Sequence, residues 1–174
     1  MKQTRKIVFA ALCVAIGVIL PMAFHSIPNS GSIFLPMHIP VLVSGFLCGP
    51  MLGLIVGIAT PVLSSLMTGM PPATILPSMI CELAVYGLMT GVIFTYFKTK
   101  NKAAHIYVSL IGAMILGRLT YGVLNALVFR TGQYSLEVWT TAAFATAIPG
   151  IVIQLILIPI LLFALEKAQF IKLD

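Results

Sequence analysis

Residues Pro36 to Pro72 read PMHIPVLVSGFLCGPMLGLIVGIATPVLSSLMTGMPP. The stretch is apolar enough to sit in lipid, yet it is punctuated. Proline stands at 36, 40, 50, 61, 71 and 72, and glycine at 45, 49, 53 and 57. A four-residue spacing puts the glycines on one side of a helix, where a second backbone can approach closely. Pro50 interrupts the run, and proline suits the first position of a helix because the N–H it lacks has no partner there. The pattern predicts two short helices, His38–Cys48 and Pro50–Leu66, hinged at Cys48-Gly49-Pro50. Broken, glycine-lined helices are tolerated at membrane depth where they pack on protein or line a cavity, and in transporters they mark solute sites. Close helix packing alone explains the glycines equally well.

Working outward, the chain has 174 residues, 60% hydrophobic and 8% charged, with a mean hydropathy of +1.11. Soluble domains carry about 25% charged residues. The composition therefore predicts an all-α integral membrane protein, residues 1–174 forming a single membrane domain with six transmembrane helices in one bundle. The net charge of +6 does not point to nucleic acid. The basic residues sit in short clusters between apolar spans, which is the pattern of cytoplasmic loops. Cys13, Cys48 and Cys81 lie inside apolar segments and form no CxxC, so they read as small buried hydrophobes. The start, MKQTRKIVFAALCVAIGVIL, has the basic and apolar parts of a signal peptide. It lacks a clean small-x-small cleavage site and reads as an uncleaved first span.

The expected spans are about Lys6–Phe24, His38–Cys48, Pro50–Leu66, Pro77–Phe97, Ile106–Phe129 and Val138–Leu165. Pro149 and Pro159 break the last one. Fusing the second and third would put Lys98, Lys100 and Lys102 opposite Lys2, Arg5 and Lys6. Kept apart, they give six spans with both termini cytoplasmic. Lys2, Arg5, Lys6, Lys98, Lys100, Lys102, Lys167 and Lys172 then all face the cytoplasm, with Arg130 outside and Trp139 at the outer interface.

Only two charges fall inside spans, Glu82 and Arg118. Each costs about 2.5–3.5 kcal/mol at a helix centre on insertion scales, so the two belong together. Counting residues from the outer ends of their helices puts them roughly 8 Å apart in depth, which long side chains can bridge directly or through a ligand. Arg118, Tyr121 and Asn125 follow i, i+3, i+7 spacing and share a helix face, as do Glu82 and Tyr86 at i, i+4. Together they outline a polar pocket open to the outside. Arginine suits a planar carboxylate or phosphate held by two hydrogen bonds. A structural Glu82–Arg118 pair is the other reading. His38 either donates to a ligand or caps a helix. Gln154, deep in the last span, is expected to bond a neighbouring helix. Asn29 and Ser30 in the first outer loop are further possible solute contacts.

Nothing in the chain matches GxxxxGK[ST] or HExxH, and His25, His38 and His105 are too scattered for a metal site. The sequence thus carries no catalytic motif, and no cofactor is expected. ATP hydrolysis, if it drives this protein, belongs to partner subunits. In the first span, Ala11-x-x-x-Ala15 with Gly17 nearby forms a small-residue stripe suited to helix–helix contact, within this chain or with another subunit.

The six short spans, the Ala11-x-x-x-Ala15 motif, the run LPMHIPVLVSGFLCGPMLGLIVGIATPVLSSLMTGMPP and the following SMICELAVYGLMTGV resemble the substrate-binding S components of energy-coupling factor (ECF) vitamin transporters. The run resembles a subgroup that includes the pantothenate-binding ones, and the resemblance covers nearly the whole chain. It implies capture of a vitamin from outside, in a pocket closed by outer loops that match His25–Met37 and Met67–Leu76. It implies docking on a membrane T component that carries two cytosolic ATPases, with Ala11 and Ala15 at the contact, and toppling in the lipid bilayer to release the vitamin inside. Another vitamin or cofactor precursor, such as cobalamin or folate, fits the same family. A stand-alone carrier would more often show inverted repeats, and none is evident. A membrane enzyme acting on lipids would need clustered acids, histidines or a nucleophile.

Overall fold

The computed structural model describes residues 3–24, 30–129 and 134–171. These form helices α1 (Gln3–Ala23), α2 (Ser30–Phe34), α3 (His38–Cys48), α4 (Pro50–Thr68), α5 (Leu76–Tyr96), α6 (Lys102–Leu124), α7 (Leu136–Thr140) and α8 (Ile148–Lys167). Two π-helical turns, Asn125–Phe129 and Thr141–Ala145, flank the third outer loop. Among the described residues there is no strand, and six stretches are long and apolar enough to cross a membrane. The protein is an all-α membrane bundle.

The opening stretch folds at the expected hinge. Gly49 adopts φ +90, which excludes most side chains, and α4 starts at Pro50. Every residue of α3 except Ile39 is buried, so this short helix forms the centre of the bundle, with α1, α4 and α5 packed around it. Its length is completed by α2: residues 31–48 together form one bent candidate span.

Lipid tails are as apolar as leucine, so helices in a membrane associate through close van der Waals packing. The glycines supply this. A Cβ on Gly53 would collide with the backbone of Gly87 on α5, and one on Gly87 with the backbone of Gly53. Gly45 and Gly57 face the same helix. The glycine stripe therefore joins α3 and α4 to α5, and packing explains it. Gly17 faces inward too, against Thr60 and Pro40, so it is not part of an outward stripe with Ala11 and Ala15.

Buried serine and threonine hydroxyls are satisfied by nearby backbone carbonyls. Ser44, Thr60, Thr90 and Ser109 each donate to a carbonyl three or four residues back in their own helix, at 2.6–2.8 Å. At the C-terminal end of α4, Ser64 Oγ donates to Met70 O and Ser65 Oγ to Pro71 O, at 2.7 and 2.9 Å. They fold the start of the α4–α5 loop back onto its helix. At the other end, Cys48 Sγ donates to Lys6 O at 3.2 Å and Lys102 Nζ pairs with Glu166 Oε1.

Several expected boundaries shift. The fifth span starts at Lys102, four residues early, because Asn101 caps it by accepting from Ala103 N at 2.9 Å. The expected last span, Val138–Leu165, is not continuous. Residues 136–145 form α7 and a π turn, and α8 begins only at Ile148. Pro149 starts that helix where it was expected to break one, while Pro159 lies within it. His25, Asn29, Arg130, Lys2 and Lys172 lie outside the described residues, and so does the side chain of Ser30.

Candidate functional site

Four helix positions converge on one buried polar cluster. His38 opens α3, Glu82 and Tyr86 sit one turn apart on α5, and Arg118 lies on α6. Gly117 makes room for the cluster, since a Cβ there would overlap the Tyr86 ring. Arg118 Nη1 lies 3.1 Å from Glu82 Oε1, and His38 Nε2 lies 3.8 Å from Glu82 Oε2. The rings of His38 and Tyr86 meet edge to face at 5.3 Å. All four residues are more than nine-tenths buried.

The expected depth gap between Glu82 and Arg118 is thus bridged directly. The pairing does not use up the polar atoms. Among the described residues, Arg118 Nε and Nη2, both ring nitrogens of His38, the Tyr86 hydroxyl and Glu82 Oε1 make no well-formed hydrogen bond, although His38 and Tyr86 both lie beside the Glu82 carboxylate. Each such buried group costs about 1–3 kcal/mol when left unmade.

The geometry of the arginine is informative. Glu82 engages Nη1, at one corner of the guanidinium. Nε–H and Nη2–H form the opposite edge, where two parallel donors match the two oxygens of a carboxylate. Glu82 neutralises the buried charge from one corner, and the Nε–Nη2 edge makes no hydrogen bond among the described residues.

Tyr121 and Asn125 lie further along, at the C-terminal end of α6 and the start of its π turn. Asn125 Nδ2 donates to Tyr121 O at 2.8 Å, where the helix widens into its π turn, and the Tyr121 ring meets Tyr134 at 6.5 Å. Sequence reading did not anticipate Trp139 here. Its Nε1 donates to Arg118 O at 3.2 Å and its ring occupies the space beside Gly122. An i, i+4 spacing of Arg118 and Gly122 carries no sign of a partner 21 residues on, so only the folded chain reveals it. Trp139 ties α7 to the helix that carries Arg118.

On the other side of the molecule, Ala11 and Ala15 are exposed on α1, in register with exposed Leu12 and Ile16. That face is apolar, with the two small residues set between exposed aliphatic ones.

A family description, ECF transporter, substrate-specific component, matches residues 5–162. The chain belongs to this family. It is a substrate-binding subunit of an energy-coupling factor transporter and not a catalytic one. S components bind small substrates and work with a T component and ATPases. Comparison of this S component with curated proteins and with solved structures gave no match.

Proposed function

We propose that this S component captures a carboxylate-bearing vitamin from outside, with pantothenate as the leading candidate, and delivers it by ATP-driven uptake. The observation that carries the reading is the buried, unpartnered Nε–Nη2 edge of Arg118 beside a guanidinium corner already held by Glu82. Arg118, Glu82, His38 and Tyr86 form the core of the site. Tyr121 and Asn125 line its approach from the outer end of α6. The Met67–Leu76 loop and the segment anchored by Trp139 flank that approach. The same fork accepts another carboxylate, such as that of folate. Cobalamin, whose periphery is mostly amide, fits it less well.

The orientation follows from charge. Lys6, Lys98, Lys100, Lys102 and Lys167 cluster at helix ends that the hinged topology puts on one side, and such clusters face the cytoplasm. Both termini are then cytoplasmic, residues 1–174 act as one membrane domain, and the His38–Arg118 cluster opens away from the ATPases. Ala11 and Ala15 present the docking face to a membrane T component carrying two cytosolic ATPases.

Proteoliposomes separate this reading from a stand-alone carrier. Vesicles holding the chain alone are expected to bind radiolabelled pantothenate without concentrating it. Accumulation appears only when the T component, the ATPases and internal ATP are supplied. Accumulation driven by a Na⁺ or proton gradient, with no added subunit, contradicts the importer-subunit reading.

A further inference from the structure

Gln154 lies near the middle of α8 with no exposed surface. Among the described residues neither its Nε2 nor its Oε1 has a hydrogen-bond partner. The expected bond to a neighbouring helix is not formed. This sets Gln154 apart from the buried serines and threonines, which all reach a nearby backbone carbonyl.

Its position follows from its neighbours. Gly150, Gln154, Ile158 and Leu162 recur every fourth residue and form the buried stripe of α8. Gly150 abuts the backbone of α2 at Ile33 and Phe34. Ile158 and Leu162 enter the core with Val41, Leu42 and Leu110. From the contact at Gly150 both chains run inward. Four residues further on, one carries His38 and the other Gln154. The amide thus faces the interior of a bundle in which α8 also touches α3, the helix that His38 opens.

We propose that Gln154 is a second recognition element of the solute site, reading a neutral amide or hydroxyl of the solute whose carboxylate Arg118 holds. This rests on the carboxylate-site reading above. A glutamine amide offers two donors and one acceptor side by side. A solute group that both donates and accepts satisfies both ends at once, whereas a purely apolar acid leaves them unmade. A buried site built to hydrogen-bond a substrate group rejects analogues that lack it. Arg118 and Gln154, on different helices, would then select an acid that also carries a polar body.

Gln154→Met keeps length and volume while removing the amide. Two measurements on purified protein in detergent test the proposal. In thermal unfolding without solute, the variant is expected to melt about 2–4 °C higher, because a buried unpaired amide has been removed. A lower melting temperature would mean that Gln154 bonds another part of the protein, and would overturn the proposal. In titration with D-pantothenate, the variant is expected to bind about tenfold more weakly, while hexanoate, an acid without amide or hydroxyl, gains or loses nothing between the two proteins. Unchanged pantothenate affinity would equally overturn it. A wild-type chain that binds no pantothenate contradicts the vitamin assignment, and solute-free melting then still decides the role of Gln154.

Discussion

Arg118→Ala is expected to weaken solute binding by about one to two decades, since hydrogen bonds to charged groups contribute on the order of 1.5–3 kcal/mol. Stability falls as well. Glu82 would be left as a lone carboxylate among buried groups, and breaking one side of such a pair costs about 3–5 kcal/mol. The two losses separate in the double variant. Glu82→Gln on the Arg118→Ala background is expected to restore the melting temperature, because no uncompensated charge remains. It is not expected to restore binding, because the Nε–Nη2 fork is gone. Arg118→Lys recovers only part of the affinity, since an ammonium cannot reproduce two parallel donors. Solute titration and thermal unfolding of the wild type and the variants check this. Near-native binding by Arg118→Ala removes the guanidinium from the site.

Ala11→Trp with Ala15→Trp is expected to abolish uptake by the assembled transporter while leaving solute binding to the isolated subunit unchanged. Both alanines are exposed, so two indoles meet no side chain inside this protein. They do occupy the space that a partner helix needs for close approach. Gly17, two residues on from Ala15 and so on the opposite face of α1, faces Thr60, and its substitution acts on folding instead. Uptake assays and co-purification with the T component are the readouts. Wild-type uptake by the double variant places the docking surface elsewhere.

How far these features were legible in the sequence depends on the range of the interaction that forms them. The hinge at Gly49-Pro50 is local: a proline without an N–H and a residue at positive φ settle it, and both stand in the sequence. The Glu82–Arg118 pair was legible because charge is rare and costly in lipid, so two charges find each other whatever the helices between them do. The partner of the glycine stripe was not legible. Gly87 and Gly91 on α5 are also four apart, but which helix meets which depends on tertiary contact. The last span failed for a related reason. Residues 138–147 are apolar enough for lipid, and hydropathy does not register that Trp139 is drawn to the α6 backbone or that the chain turns before Pro149. His38 had two readings because a histidine near a helix start resembles a cap. Its burial against Tyr86 and Glu82 places it in the cluster.

Native mass spectrometry of the purified subunit tests the central claim most directly. The wild-type protein is expected to retain a small molecule bearing a carboxylate, and the folded Glu82→Gln/Arg118→Ala variant is expected to emerge without it. Retention of the same molecule by that variant, or a retained molecule with no anionic group, would contradict the assignment of Arg118 as the residue that holds the solute.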